Sequence, residues 1–358
     1  VIQYLEKSVQ ESVRVGLIPA GSPKRLVGEQ GEDSPAYTSI HGRPILSYVV
    51  EQAILSDLEL IYIWTNPDRV ADLERIVDGF AGKEKIRKVL PSRGNIFDSL
   101  TFTMQEYVTA DLFNRRGFRS WAELLDFADA HEDVRETPIM HISSDAPFIQ
   151  SREIDDFRTY FSLHPVDYSI GITPIEAVQS VLDESGLWNE FMNMETTIKN
   201  FTRIYDDRNK KYISMRMNNL HILKPYKLDS RRYDFFQDIF DQRGVSKVSR
   251  WLKLAQLIKR IFKLPWLDDE QKKKKLYRTI WDLVRSQERV PKMLRKEDSQ
   301  YTTVTNLEEN IGFLMGLKTS LYTAGEMGAF FDADAQQEYD FLNTHFDKLY
   351  AGNAAKAS

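Results

Sequence analysis

The stretch that decides the fold is residues 13–26, which read VRVGLIPAGSPKRL. The apolar run at 13–19 predicts a buried strand that ends at a proline. Small and basic residues follow at once: Ala20, Gly21, Ser22, Lys24 and Arg25. Small side chains let backbone N–H groups approach an anionic or planar ligand, and the two bases would neutralise phosphate charge. A tight surface turn with two solvated bases explains the same residues, so this segment alone supports both interpretations.

Strands and helices alternate outward from this segment. Residues 44–55, PILSYVVEQAIL, have apolar positions at helical spacing, and residues 60–65, LIYIWT, are typical of a parallel strand covered on both faces. A helix, a strand, a helix, a polar insert and a strand are predicted next, at 70–80, 86–90, 97–108, 110–135 and 138–142. The alternation predicts an α/β fold with a mostly parallel, doubly wound sheet, whose ligands bind at the carboxyl ends of the strands.

The second half of the chain is less regular. An accessory sheet is predicted from three short strands at 168–173, 212–217 and 220–223. Residues 226–300 are helix-forming and polar to basic. A helix, a strand and a closing helix are predicted at 306–315, 320–323 and 336–349. We therefore predict one α/β domain formed by residues 13–225 plus 301–350, with an all-helical basic insertion at 226–300.

The charge distribution supports this division. The chain has 358 residues, 42% of them hydrophobic, and 48 Lys and Arg against 53 Asp and Glu give a net charge of -5. This composition excludes a wholly disordered chain, and we do not expect a dedicated nucleic-acid binder because such domains usually carry a basic excess. Residues 243–296 nevertheless carry a net charge of +12, which leaves -17 on the rest of the chain.

Several function classes are excluded by what the sequence lacks. Because the chain has no cysteine, it has no disulfide, thiolate zinc site, iron–sulfur cluster or Cys nucleophile. The six histidines lack ligand spacing, and P-loop, dinucleotide and zincin motifs are absent. Neither a signal-peptide pattern nor an uncharged apolar run of about 18 residues occurs, so we expect a cytoplasmic protein.

A carboxylate follows the predicted strand at 138–142. Residues 140–148 read MHISSDAPF, which places Asp145 at the strand end, just before a proline that stops the pairing. A carboxylate there offers a hard oxygen ligand in the crevice where Mg²⁺–nucleotide complexes bind. The alternative role for Asp145 is as N-cap of a helix beginning at Ser151, although Ser151 is itself better placed to cap.

An acidic pair precedes the last predicted helix, in FDADAQQEY at 331–339. Asp334 fits a helix N-cap as well as a metal ligand, and the two roles are compatible. Mg²⁺ is usually bound by one or two carboxylates together with phosphate oxygens and water. Asp145 and either Asp334 or Asp332 would supply that number of carboxylates if the two segments converge.

Four motifs in this order resemble the MobA-like nucleotidyltransferases: LIPAGSPKRL at 17–26, IHGRPIL at 40–46, SSDAPF at 143–148 and FDADAQQEYDFL at 331–342. The resemblance covers roughly residues 13–223 and 301–349. It implies a GT-A-type α/β fold. It also implies transfer of a nucleoside monophosphate from an NTP to a phosphorylated small-molecule acceptor, with Mg²⁺ as cofactor and release of pyrophosphate.

The resemblance further implies roles for residues at matching positions. The nucleotide would be contacted by Ala20, Gly21 and Ser22 at its base and sugar, by Lys24 and Arg25 at its phosphates, and by Gly94 and Asn95 from a second loop. Asp145 would be the principal metal ligand and Asp334 the second, with Asp332 as its substitute. Asn219 would face the acceptor.

One departure from the family pattern leaves other functions open. Pro35 stands where the family has a lysine, so a phosphate-neutralising charge is missing or comes from Lys24, Arg25 or Arg93. A degenerate member that binds a nucleotide without turnover is therefore one alternative. The other is a GT-A glycosyltransferase that reads Asp332-Ala333-Asp334 as its Asp-x-Asp metal motif, although that motif normally lies in mid-domain.

The insertion contains an amphipathic segment at 246–267, SKVSRWLKLAQLIKRIFKLPWL. Its apolar stripe fits a helix that packs on the rest of the protein, which is the default interpretation. It also fits a helix on an anionic membrane surface, with Trp251 and Trp266 at headgroup depth, and RNA binding is a third alternative. Liposome co-sedimentation at low salt separates these interpretations, because only the membrane helix requires anionic lipid for binding. The sequence predicts no oligomeric state.

Overall fold

A computed structural model describes residues 12–21, 35–93, 96–194, 202–228, 269–271, 273–274, 277, 303–333 and 336–357. These ranges contain most of the predicted α/β domain. Outside the described residues lie the predicted helix at 246–267 and the candidate site residues Ser22, Lys24, Arg25, Gly94, Asn95 and Asp334.

The described strands form one large sheet and a small ribbon. They are β1 (Val15–Pro19), β2 (Ser39–Ile40), β3 (Arg43–Pro44), β4 (Leu60–Thr65), β5 (Ile86–Pro91), β6 (Ile139–Ile142), β7 (Tyr168–Pro174), β8 (Thr202–Asp206), β9 (Lys211–Leu223) and β10 (Thr319–Thr323). The large sheet has the order β10-β7-β9-β6-β1-β4-β5, and β8 also pairs with β9. β2 and β3 form the separate ribbon.

The large sheet is mostly parallel, as predicted. β1 pairs in parallel with β4 and β6, β4 with β5, and β7 with β10. β9 runs antiparallel to both β6 and β7, so these two strands point the same way, and β8 is antiparallel to β9. β1, β4, β5, β6, β7 and β10 therefore end at one edge of the sheet, which we call the carboxyl edge.

The predicted accessory sheet is wrong, because its strands belong to the large sheet. The segments predicted at 212–217 and 220–223 are one 13-residue strand, β9, which lies between β6 and β7. At its polar centre, the pairing with β7 is irregular: the register shifts between Ile170 and Ile172 of β7. The Asn218 side chain fills the space where Gly171 has no Cβ, so two asparagines are accommodated within a continuous strand.

Helices cover both faces of the sheet. They are α1 (Ile45–Leu55), α2 (Val70–Asp78), α3 (Ile96–Thr103), α4 (Thr109–Phe113), α5 (Trp121–Ala130), α6 (Glu132–Arg135), α7 (Ser151–Leu163), α8 (Ile175–Glu184), α9 (Trp188–Asn193), α10 (Val304–Met315), α11 (Gln336–Thr344) and α12 (Phe346–Ala357). The polar insert predicted at 110–135 is therefore largely helical. The single closing helix predicted at 336–349 is two helices instead.

Alternating side chains of β1 show why the fold is doubly wound. Ile18 belongs to a buried cluster that α1, α2 and α7 share on one face, whereas Leu17 belongs to a cluster with α3 and α5 on the other. A strand buried on both faces needs apolar residues at successive positions, which explains the continuous apolar runs of β1 and β4. Within the described residues, no helix combines the length and apolar character needed to cross a bilayer.

A third cluster lies beyond the sheet and supports the loop after β10. α8, α9, α11 and α12 surround the aromatic side chains of Phe148, Phe330 and Phe331. Phe148 lies three residues after Asp145, and Phe331 directly precedes Asp332. The two acidic segments therefore share one apolar support.

Candidate functional site

At the carboxyl edge, the loops after β1 and β6 are each bonded to the end of a neighbouring parallel strand. The Ala20 amide donates to the Trp64 carbonyl at 2.6 Å, which joins the end of β1 to β4. The Ser144 hydroxyl donates to the Pro19 carbonyl at 2.6 Å, which joins the loop after β6 to β1. The edge that the sequence selects for ligand binding is thus held together by hydrogen bonds from its loops to adjacent strand ends.

Gly21, in the loop after β1, allows this loop to lie close to the loop after β5 and to the end of β4. A Cβ at this position would lie 2.9 Å from the Ser92 hydroxyl oxygen and 3.2 Å from the Thr65 carbonyl carbon. Ser92 is itself fixed, because its amide donates to the Thr65 carbonyl at 2.7 Å. The small side chain predicted to admit a ligand is therefore also required for packing of the loop after β1.

Replacing Gly21 with Ala is expected to lower the free energy of unfolding by about 1–3 kcal/mol, since overpacking displaces the neighbouring loop. Adding Ser92→Gly to the same chain removes the nearest contacts and is expected to restore part of the loss. Gly325→Ala is the matched control, because a Cβ there meets nothing within 4 Å. Urea unfolding of the four proteins measures this. An unchanged stability of Gly21→Ala would contradict the packing role.

Asp145 lies at the carboxyl edge, directly after β6, where the sequence predicts it. One of its carboxylate oxygens accepts a hydrogen bond from the Ser143 hydroxyl. The alternative role as a helix cap is wrong, because the N-cap of α7 is Gln150. Ser151 does not cap either: it is the first helical residue, and its amide donates to Gln52 Oε1 at 2.9 Å.

The two acidic segments meet at this edge. The Ala333 amide donates to the Asp145 carbonyl oxygen at 3.2 Å, and Ala333 is fully buried. The sequence predicts a shared metal site only if these two segments converge, and this hydrogen bond brings their backbones together. Asp334, the next residue after Ala333, lies outside the described residues.

Asp332 forms a buried ion pair with Arg216 of β9. Arg216 Nη2 lies 2.9 Å from one carboxylate oxygen of Asp332 and 2.8 Å from the other. The two side chains are only 13% and 8% exposed. Both oxygens of the predicted substitute ligand are thus already bound to a cation, which makes Asp334 the better candidate for a second metal ligand.

Asn219 lies beside Asp145, but its side chain contacts protein. Its carbonyl accepts from the Ser143 amide at 3.0 Å, which places it at the loop after β6. Its side-chain amide donates to the Ala329 carbonyl at 2.9 Å. In this structure Asn219 therefore holds the segment that leads to Asp332, and its predicted contact with an acceptor remains a proposal.

Glu153 is a buried acid that anchors the loop after β10, and the sequence does not single it out. It lies in the first turn of α7, it is fully buried, and both carboxylate oxygens lie 3.1 Å from the Ala329 amide. Burial raises the pKa of Glu153 to about 8, and the charges of Glu326 and Asp156 act in the same direction. A glutamate in an amphipathic helix gives no local signal of burial, whereas Arg216 is a charge between two methionines of a strand and does give one.

Two described arginines, Arg69 and Arg93, stack on aromatic rings near the position of the missing lysine and the loop after β5. Pro35 is buried in a short 3-10 turn and contributes no charge. The Arg93 guanidinium lies 3.4 Å from the centre of the Phe102 ring, in the wall of an open groove of about 700 Å³ along α3. Arg69 lies 5.7 Å from the ring centre of Tyr37, which follows Pro35 by two residues.

The donor chemistry fits Mg²⁺ but does not form an all-protein cage. In the described part of the chain, no group of three or more His, Asp or Glu side chains is placed to hold a metal ion. Asp145 offers one hard carboxylate at the carboxyl edge, with the Ser143 hydroxyl beside it. Mg²⁺ commonly takes one or two protein carboxylates and completes its octahedron with phosphate oxygens and water, so this set suits a metal that arrives with a nucleotide.

Comparison with solved structures supports the fold. A hypothetical transferase from Thermus thermophilus is similar, with a TM-score of 0.50 and 14% identity over 91% of this chain and 99% of that one. A 4-diphosphocytidyl-2C-methyl-D-erythritol synthase from Anaerococcus prevotii has a TM-score of 0.44, 9% identity, and coverage of 95% and 98%. A glucose-1-phosphate thymidylyltransferase from Bacillus anthracis has a TM-score of 0.44, 10% identity, and coverage of 92% and 93%.

Sequence comparison adds nothing to these structural likenesses. No protein-family model matches the chain, and no curated protein matches it. At 14% identity, the Thermus thermophilus structure speaks for the fold alone. The predicted fold class is confirmed: the chain has a mostly parallel α/β sheet covered by helices on both faces, and the Thermus thermophilus transferase is similar in fold.

Proposed function

We propose that the protein is a Mg²⁺-dependent, MobA-like nucleotidyltransferase. It transfers a nucleoside monophosphate from an NTP to a phosphorylated small-molecule acceptor and releases pyrophosphate. The observation that carries this proposal is the hydrogen bond from the Ala333 amide to the Asp145 carbonyl. It joins a carboxylate at a strand end to the second acidic segment, beside the loop after β1 and at the edge where α/β sheets bind ligands.

The residues of the carboxyl edge divide between nucleotide, metal and acceptor. We assign the nucleotide to the loops that contain Ala20, Gly21, Ser22, Gly94 and Asn95, and its phosphates to Lys24 and Arg25. Asp145 is the principal metal ligand and Asp334 the second, while Asp332 is left to Arg216. Asn219 is assigned to the acceptor side because it adjoins Asp145 through the Ser143 amide.

The chemistry requires no covalent intermediate on the protein. An acceptor phosphate oxygen attacks the α-phosphorus in line, a new P–O bond forms, and the bond to the bridging oxygen of pyrophosphate breaks. Mg²⁺, when bound, supplies positive charge to the phosphate oxygens. Lys24 and Arg25 would hold the charge that develops on the leaving pyrophosphate. Ser143, which donates to Asp145, orients the carboxylate.

Pyrophosphate release tests this function directly. The purified protein is incubated with Mg²⁺, each of the four NTPs, and a panel of sugar, polyol and cofactor phosphates. We expect pyrophosphate with at least one NTP, and only when an acceptor is present.

We also propose a cytoplasmic location. The liposome measurement decides whether residues 246–267 contact a membrane.

The same incubation separates the two alternatives. A glycosyltransferase would cleave a nucleotide-sugar instead, and it would need the Asp332 carboxylate that Arg216 binds. A degenerate protein would bind an NTP tightly without forming product, which is the alternative favoured by the buried Pro35. Tight NTP binding with no pyrophosphate from any acceptor of the panel would contradict the proposed transferase.

A further inference from the structure

The ion pair between Arg216 and Asp332 joins the middle of the sheet to the second acidic segment. Arg216 belongs to β9 and pairs with Thr173 of β7 in the backbone register. Its guanidinium also lies 5.3 Å from the centre of the Phe330 ring. One side chain from the rigid sheet therefore contacts the loop after β10 at two positions, on either side of Phe331.

A buried ion pair needs a reason beyond stability. Removing two charges from water costs about as much as their attraction returns, so apolar residues of similar volume usually stabilise a protein equally well. Here one nitrogen, Nη2, contacts both oxygens of Asp332 while the guanidinium also lies over the Phe330 ring, so the ion pair fixes Asp332 from one point in the sheet. The geometry of this pair thus favours a role in placing the backbone around Asp332.

Ala333, the residue after Asp332, connects the ion pair to Asp145. Ala333 is bonded to the Asp145 carbonyl, so only one peptide unit separates the ion pair from the segment that contains the proposed metal ligand. Other anchors hold the loop further upstream: the Ala324 amide donates to the Ile172 carbonyl, and Ala329 is bonded to Glu153 and Asn219. Loss of the ion pair should therefore release the end of the loop and leave its beginning in place.

We propose that Arg216 is a positioning residue, which acts through Asp332 and Ala333 to hold the second acidic segment against Asp145. Its contribution to catalysis rests on the proposed nucleotidyl transfer, whereas its effect on the loop does not. Asp332 in this proposal is the partner of Arg216 and does not bind the metal.

Hydrogen exchange tests the positioning role without substrate or metal. In Arg216→Met, we expect exchange of the Ala333 amide to accelerate by at least about tenfold, while amides of β1 and β6 keep their protection. Lys224→Met is the matched control, because Lys224 is 8% exposed and forms an ion pair with Glu136 at the opposite edge of the sheet. That variant should leave Ala333 protected. Unchanged protection of Ala333 in Arg216→Met would overturn the proposal.

A conservative variant covers the case in which Arg216→Met does not fold. Arg216→Lys keeps the charge, but the lysine ammonium ends one bond short of the position of Nη2, the nitrogen that contacts both oxygens of Asp332. The same local acceleration at Ala333 is expected, and retained protection in this variant also counts against the proposal.

The Mg²⁺ dependence of pyrophosphate release distinguishes two roles for Asp332: partner of Arg216 in positioning the loop, or ligand of the metal. We expect Arg216→Met, Asp332→Asn and the double variant to raise the half-saturating Mg²⁺ concentration to a similar extent, because two residues that act as one unit have non-additive effects. A larger effect of Asp332→Asn, with additive losses, would identify Asp332 as a ligand and overturn the proposal. If the wild type releases no pyrophosphate, the proposed function fails, and the exchange measurement still decides the role of Arg216.

Discussion

Asp145→Asn is expected to reduce Mg²⁺-dependent pyrophosphate release by about 100-fold or more. The amide keeps the size of the side chain and can still accept from the Ser143 hydroxyl, but it loses the negative charge that attracts the metal. Charge-stabilising groups of active sites typically contribute factors of about 100 to 1,000 to turnover, and metal neutralisation of phosphate belongs to this class. Initial rates at saturating NTP and acceptor, measured over a range of Mg²⁺ concentrations, give the size of the effect.

The control for this experiment is a carboxylate far from the carboxyl edge. Asp183→Asn changes an exposed residue near the end of α8 and should retain wild-type turnover. Thermal unfolding of both variants shows whether the fold is preserved. If folded Asp145→Asn releases pyrophosphate at the wild-type rate and with the wild-type Mg²⁺ dependence, the assignment of Asp145 as metal ligand is wrong.

Glu153→Gln is expected to remove a large part of the pH dependence of stability. The native pKa of Glu153 is raised to about 8, whereas the unfolded chain ionises near 4.5, so the native state retains a proton that the unfolded state releases. The stabilisation from this proton is complete below pH 4.5 and is lost as the pH rises through 8. At about 1.36 kcal/mol per pKa unit, the wild type should lose on the order of 4 kcal/mol relative to Glu153→Gln.

Urea unfolding of both proteins at intervals from pH 5 to pH 8.5 measures this difference. Gln can accept a hydrogen bond from the Ala329 amide as Glu does, and it cannot ionise. Glu176→Gln is the matched control, because Glu176 also lies in the first turn of a helix, but on the surface. Parallel stability curves for the wild type and Glu153→Gln would show that the buried carboxyl does not titrate in this range.

The central part of the fold could be predicted because its signals are local. The run LIYIWT is continuous in the chain and forms β4 over the predicted residues. The sequence predicts two strands where β9 lies, because the two asparagines at its centre have a local preference for turns. What keeps the strand continuous is the space above Gly171 on β7, and this depends on a residue about 50 positions away. Such compensation between strands leaves no pattern within either segment.

In the candidate site, too, local features can be predicted from the sequence, whereas contacts between distant residues cannot. The sequence singles out Asp145 because the end of a parallel strand is a position that can be identified from the sequence. It does not single out Arg216 and Glu153, because their partners lie 116 and 176 residues further along the chain. A charged residue inside a buried strand does indicate that a partner exists, but only the fold identifies Asp332. The residues that hold the second acidic segment therefore emerge from tertiary structure alone.

The antiparallel direction of β9 also has a consequence for motion in the site. Arg216 and Asn219 lie inside this strand, and Arg216 pairs with Thr173 of β7, whereas Gly21, Ser92 and Asp145 lie in loops beyond strand ends. Strand interiors open rarely, and loops open readily. Backbone amides of β9 are therefore expected to exchange with solvent more slowly than those of Gly21, Ser92 and Asp145, which makes β9 the less mobile side of the carboxyl edge.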